Sequence, residues 1–295
     1  MLYQTENRHG GDIYGGIALD FSANVSPLGT PRSVTDAIER ALPELYRYPD
    51  PYCRTLVQTI SEYEGVPKNF VLCGNGASEL IYAYCGAVRP KRAMELAPTF
   101  SEYSLALRRT GCEVVRFALK QEENFDLRKD FLPFLAREKI DALFLCNPNN
   151  PTGAVYPKET LLKLVDIARE FGLIIFADEV YDKILYEDAK HIAIASLSTD
   201  VLTITFNSLS KAYRACGYRA GWMIISGNKL PARDFIEGLN MLANMKLCAN
   251  VPGQWAIQTA LGGYQSINDL VCEGGRLRVP VSYTHLRAHE TDQYL

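Results

Sequence analysis

Two rhythms alternate along the middle of the chain. Short apolar runs recur at 70–73, 93–96, 113–117, 142–146, 173–177, 201–206 and 222–225, each of a length typical of a strand. Between several of them lie stretches with apolar residues three and four apart. The clearest spans 157–171, with apolar positions at Leu161, Leu164, Val165 and Ala168. Helices are expected also at 79–87, 100–110 and 129–138. The run Leu173-Ile174-Ile175-Phe176-Ala177 has no polar member, as expected of a strand buried on both faces. Strands alternating with helices predict an α/β fold, a mainly parallel sheet with helices on both sides. Ligands of such sheets bind beyond the carboxyl ends of the strands.

The flanks read differently. Residues 1–30 are rich in Gly, Asn and Pro and predict an arm with turns. A helix is expected at 31–42, a rigid turn at Tyr46 to Pro51, and a second helix at 55–63. Beyond the last strand, helices are expected at 232–245 and 254–261, broken at Pro252-Gly253. After Gly274-Gly275 the character changes, and 279–295 has no period of either kind. The expected division is therefore an arm with part of a small domain (1–45), a large domain (46–264) and a C-terminal segment (265–295).

Of the 295 residues 47% are hydrophobic and 22% charged, a globular composition with room for a large core. A net charge of −3 gives no broad electrostatic case for nucleic acid. The eight cysteines are scattered and none forms a C-x-x-C pair. They read as buried thiols of a cytoplasmic protein, neither disulfides nor a metal site. The first sixteen residues carry no signal-peptide core, and no apolar run is long enough to span a bilayer.

Candidate chemistry falls at four strand ends. Ser208-Leu209-Ser210-Lys211, with Arg219 eight residues on, sits between two apolar runs. A lysine there is costly unless paired or covalently used, and the hydroxyls and guanidinium beside it suit a phosphate. A surface loop is the plainer explanation. Gly74-Asn75-Gly76-Ala77-Ser78 opens a helix, where small residues and the helix dipole favour an anion; a packing turn with Ser78 as N-cap would look the same. Asn147-Pro148-Asn149-Asn150-Pro151-Thr152-Gly153 fixes its backbone with two prolines and offers Asn150 as a donor. Asp178-Glu179-Val180-Tyr181 ends the most apolar strand. A carboxylate buried there needs a cation, for which a protonated pyridine nitrogen would serve, unless Asp178 merely caps a helix. A Schiff-base-forming lysine next to a phosphate cup points to pyridoxal phosphate. A nicotinamide-binding reading fails, because Gly74-x-Gly76 lacks the third glycine.

Those four strings, in that order and spacing, resemble the class I/II aminotransferase family of fold-type I pyridoxal-phosphate enzymes over roughly residues 20–275. The resemblance implies a three-layer α/β/α fold around a mainly parallel seven-stranded sheet. It also implies roles. Lys211 would hold the cofactor covalently and move the substrate proton. Asp178 would keep the pyridinium nitrogen protonated, while Asn150 and Tyr181 would bond the ring hydroxyl. Phe100, in Pro98-Thr99-Phe100, would stack on the ring. Gly76, Ala77, Ser78, Ser208, Ser210 and Arg219 would hold the phosphate, joined by Tyr48 from a partner subunit, which implies a homodimer. Asn24, Gly29 and His9 would lie on the substrate side. The implied substrates are an amino acid and a 2-oxo acid.

The two halves resemble different branches. His9-Gly10-Gly11, the segment Asp20 to Gly29, and Arg47-Tyr48-Pro49-Asp50-Pro51 are similar to threonine-phosphate decarboxylases, a group close to histidinol-phosphate aminotransferases. From Ala154 onward the chain is similar to bacterial alanine transaminases, as in Tyr218-Arg219-Ala220-Gly221-Trp222 and Cys248-Ala249-Asn250-Val251-Pro252. The change near 147–153 implies a chimera, or else one divergent enzyme. Val281 to Thr291 resembles translated adapter sequence, and His285 and His289, four apart with no further ligand, are expected to hold no metal. The family continues past Arg276 into a subdomain carrying the arginine that binds the substrate carboxylate. The expectation is a truncated aminotransferase with impaired turnover and exposed apolar surface. The alternatives are a decarboxylase of a phosphorylated amino acid or an inactive fragment.

Overall fold

The structure, a computed structural model, describes residues 24–279. Seven strands form one sheet: β1 (Val71–Gly74), β2 (Arg92–Ala97), β3 (Glu113–Ala118), β4 (Ala142–Cys146), β5 (Ile174–Asp178), β6 (Thr203–Ser208) and β7 (Gly221–Ser226). Their order is β1-β7-β6-β5-β4-β2-β3. All neighbours pair in parallel except β7, which runs antiparallel to both β1 and β6. The expected α/β class and the mainly parallel sheet are what the structure has.

The helices are α1 (Arg32–Ala41), α2 (Arg54–Glu64), α3 (Ala77–Val88), α4 (Glu102–Arg109), α5 (Phe131–Arg137), α6 (Lys158–Phe171), α7 (Arg233–Asn244), α8 (Val251–Gly262) and α9 (Ile267–Val271). The strands sort their side chains between layers by alternation. Leu143, Leu145, Ile175 and Ala177 face the layer of α5 and α6, packing with Phe131, Leu161 and Leu164. Phe144, Phe176, Ile204 and Phe206 face α3, α4 and α7. On β7, Met223 and Ile225 join that second layer, whereas Trp222 and Ile224 turn to a third cluster with α1, α2 and α8. Phe144 and Phe176 are paired across the ladder and their rings stack at 4.1 Å; Phe206 continues the stack at 4.2 Å. Tyr84 and Tyr103 meet Phe176 edge-on from the helices above. Each such ring contributes about 1.5–3 kcal/mol by leaving water.

Two expectations at helix ends are corrected. The turn expected at 74–78 is shorter: α3 already starts at Ala77, and Gly76 stands at its N-cap with no side-chain cap, so Ser78 lies inside the helix. The break expected at Pro252-Gly253 is instead the first turn of α8, where a proline lacks only an N–H the helix would not bond.

Candidate active site

Parallel strands deliver their carboxyl ends to one edge of the sheet. Because β7 is antiparallel, its beginning arrives at that same edge. Gly221 pairs with Gly74 at the end of β1 and with Ser208 at the end of β6. Five loops thus converge, those leaving β1, β2, β4 and β5 and the one that joins β6 to β7. Between them lies a cavity of about 410 Å³, within the ~300–1,000 Å³ of small-molecule sites. Ala77, Ser78, Phe100, Asn150, Asp178, Tyr181, Ser208, Ser210, Lys211 and Arg219 all line it.

One end of this cavity is made of donors. Gly76 has φ +89° and lies against the Arg219 guanidinium, so close that a Cβ there would be 2.7 Å from Nη2. Arg219, itself left-handed at φ 45°, donates from Nη1 to Cys216 O at 3.0 Å and to Ser210 Oγ at 3.4 Å. No carboxylate pairs with Arg219 among the described residues. Ser208 Oγ accepts from the Ser210 N–H at 3.2 Å, which draws the two hydroxyls onto one turn. Free N–H groups at the start of α3, the two hydroxyls of one turn and a guanidinium with no carboxylate partner among the described residues are a donor set for an anion.

The other end is acidic and buried. Asp178 is 3% exposed, at the end of β5. Burial pushes its carboxyl above the usual range, against the opposing pull of the Tyr103 hydroxyl, the Val180 N–H and the charge of Lys211. Tyr103 and Cys146 are likewise driven up by burial, so they stay protonated beside it. Burial also keeps the Tyr181 phenol protonated, and the Lys211 amine sits 5.7 Å from the centre of that ring. The remaining loops are tied to one another. Asn147 N–H donates to Asp178 O at 3.0 Å, and Asn149 Nδ2 donates to Pro98 O at 3.1 Å and Thr152 Oγ1 at 2.9 Å. Phe100, Asn150 and Asp178 are thereby set in fixed relation.

The sequence matches the profile of the "Aminotransferase class I and II" family over residues 17–289. The chain belongs to the class I and II aminotransferases. It is 50% identical over 215 residues to the glutamate-pyruvate aminotransferase AlaA of Haemophilus influenzae, covering 72% of this chain and 53% of that protein. It is 33% identical over 259 residues to the threonine-phosphate decarboxylase of Salmonella typhimurium, covering 88% of this chain and 70% of that one. A crystal structure of an aminotransferase from Escherichia coli superposes with a TM-score of 0.77 at 42% identity, over 84% of this chain and 64% of the other. The chain thus spans about half the length of the AlaA relative it matches. The second match necessarily runs across residues 147–153, where the two resemblances meet.

Class I and II aminotransferases use pyridoxal phosphate. The donor set fits it: an anion cup at one end, a buried carboxyl short of a cation at the other, and an amine between. The arrangement also contains residues the sequence did not single out. Tyr103 caps the acid, and its only signal was a position one helical step past Phe100. Glu102 and Cys216 line the cavity as well. Other expected residues lie apart. Tyr48 is 89% exposed, on a separate concavity with Arg40, Arg47, Asp50 and Trp255. Asn24 and Gly29 are exposed; the neighbouring Val25 carbonyl meets Arg214 Nη1 at 3.4 Å, three residues past Lys211. His9, His285 and His289 lie outside the described residues. Asp178 starts no helix, which removes its reading as an N-cap. Among the described residues no helix is long and apolar enough to cross a membrane, and no cluster of His, Cys, Asp or Glu could hold a metal.

Proposed function

We propose that this chain is a pyridoxal-phosphate-dependent aminotransferase, moving an amino group between an amino acid and a 2-oxo acid. The observation that carries it is one cavity lined by the Lys211 amine, the buried Asp178 carboxyl and the Arg219 guanidinium. When bound, the cofactor supplies an aldehyde carbon and a ring that takes up the electron pair left at the substrate α-carbon. The protein does the rest. Asp178 holds a proton at the ring nitrogen by charge. Asn150 and Tyr181 would donate to the ring hydroxyl, and Phe100 would hold the ring from the cavity wall. Ser78, Ser208, Ser210, Arg219 and the first N–H groups of α3 hold the phosphate. Lys211 Nζ accepts the α-proton and returns it. The H. influenzae relative is named for glutamate and pyruvate, which makes that pair the first to assay.

A second reading, decarboxylation of a phosphorylated amino acid, is favoured by the fuller coverage of the Salmonella enzyme, 70% of its length. Dependence of turnover on an added 2-oxo acid selects the first; carbon dioxide release without one selects the second. We propose also that the chain pairs with a second copy, which would bring Tyr48 to the partner's phosphate, and that it works in the cytoplasm, where its eight unpaired thiols stay reduced. The central test is chemical. Borohydride treatment with pyridoxal phosphate should add the reduced cofactor's mass to the peptide bearing Lys211, and Lys211→Ala should add none. Stoichiometric fixation on another lysine would falsify the assignment.

A further inference from the structure

Asn75 and Asn250 are 175 residues apart and meet beneath the anion cup. The Asn250 N–H donates to Asn75 Oδ1 at 2.8 Å, and Asn250 Nδ2 donates to the same oxygen at 2.9 Å. Nδ2 also donates to the Arg219 carbonyl at 3.0 Å, with Tyr218 O further off at 3.4 Å. Asn75 in turn donates from its own N–H and amide to the two oxygens of Glu79, at 3.0 and 3.1 Å. One side chain therefore joins the loop that opens α3 to the turn that carries Arg219. Neither asparagine lines the cavity.

The need for such a tie is local. Gly76, directly after Asn75, has φ +89°, and Arg219 has φ 45°. Both are backbone conformations that persist only when the surroundings hold them, and for arginine the left-handed region is unfavourable. Asn250 bonds the residue beside the first and the carbonyl of the second. The amide oxygen of Asn250 serves α8 instead, where Oδ1 accepts from the Gly253 N–H at 2.7 Å and caps the helix. The cap needs only an acceptor, so the amide donor is spare for the cup. Gly253 keeps that amide in place, since a Cβ there would come within 2.8 Å of both amide heavy atoms.

We infer that Asn250, through Asn75 and the Arg219 carbonyl, is a positioning residue for phosphate binding. The inference rests on the cofactor reading above. Asn250→Ser keeps a capping oxygen and adds no charge, but removes the amide donor. Asn75→Ala removes the shared acceptor and leaves both partners of the Asn250–Gly253 cap bond in the chain. The full chain and both variants would be titrated with pyridoxal phosphate and with pyridoxal, which lacks the phosphate, following the absorbance of the bound chromophore. Each variant should lose about tenfold in affinity for pyridoxal phosphate, the scale of a lost hydrogen bond or two. Affinity for pyridoxal should stay near that of the unsubstituted chain. An equal loss for both ligands, or no loss for either, overturns the positioning role. If the unsubstituted chain itself fails to prefer the phosphorylated ligand, the cup reading falls and takes this inference with it.

Discussion

Asp178 is a liability as it stands and would become an asset only beside the proposed cofactor. A carboxyl at 3% exposure with one hydroxyl and one N–H for partners is unfavourable to ionise. Its folded-state affinity for a proton is therefore above that of the unfolded chain, where the ordinary value is 3.8. Above that pH the unfolded chain has released its proton while the folded chain still holds one. This contribution to stability is accordingly lost as pH rises through the raised value. A cationic ring nitrogen would reverse the balance. Asp178→Asn should then have two opposite effects. The cofactor-free variant should be at least as stable as the parent at neutral pH, read from the denaturant midpoint. Its turnover should fall by about 10²-fold or more, the rate equivalent of roughly 3 kcal/mol for a broken buried pair. Near-normal kcat, or a clearly weaker apo fold, would remove Asp178 from this role.

At the scale of elements, the antiparallel strand is what makes the edge a site. Gly221 begins β7 in contact with three backbone atoms: a Cβ there would lie 2.8 Å from Ala77 N, 2.9 Å from Gly76 C and 3.0 Å from Asn207 O. Those atoms belong to the opening of α3 and to β6, and none is a flexible side-chain tip. Gly221→Ala should cost about 1–3 kcal/mol by overpacking and weaken pyridoxal-phosphate binding as well, because the cup must move to admit the methyl. A variant with the parent's denaturation midpoint and affinity would show that the edge tolerates the shift. The central strands were legible because their apolar runs are buried on both faces, as at Ala142–Cys146, whereas the edge strand β3 is largely exposed. Their ends were less so. β6 runs on through Asn207 and Ser208, polar residues buried by pairing with Trp222 and Gly221. The four motifs marked the cavity wall, since each follows a strand directly. What joins the walls was not legible. No local pattern couples Asn75 to Asn250, brings Tyr103 to Asp178, or sets Cys53, Cys73 and Cys248 around one cavity. Such contacts depend on strand order and helix packing, which a periodicity does not encode.

For the molecule as a whole, the surface argues for company. Tyr46 is 84% exposed and Tyr48 89%, and Leu42, Leu45, Tyr52 and Trp255 are also exposed. Arg40, Arg47, Tyr48, Tyr52 and Trp255 come from α1, the turn after it and the start of α8, elements that pack together through α1 and α8. Tyr48, Arg47 and Trp255 surround a concavity of about 520 Å³. Exposed aromatic side chains around one concavity, as Tyr48 and Trp255 are, are what interface centres are made of. Arg47 and Arg54 beside the tyrosines add the residue type most often found at such centres with Tyr and Trp. Tyr48 gives the proposal its chemistry, because a phenol that exposed contributes little to its own fold. Light scattering on the purified chain should give twice 33.0 kDa. Tyr48→Arg, which places a charge at the middle of the patch, should shift the mass toward a single chain. It should leave the melting temperature of the separated chain unchanged, since an exposed side chain has few contacts to lose. A parent that stays at the single-chain mass over the micromolar range would mean that this face meets something other than its own copy.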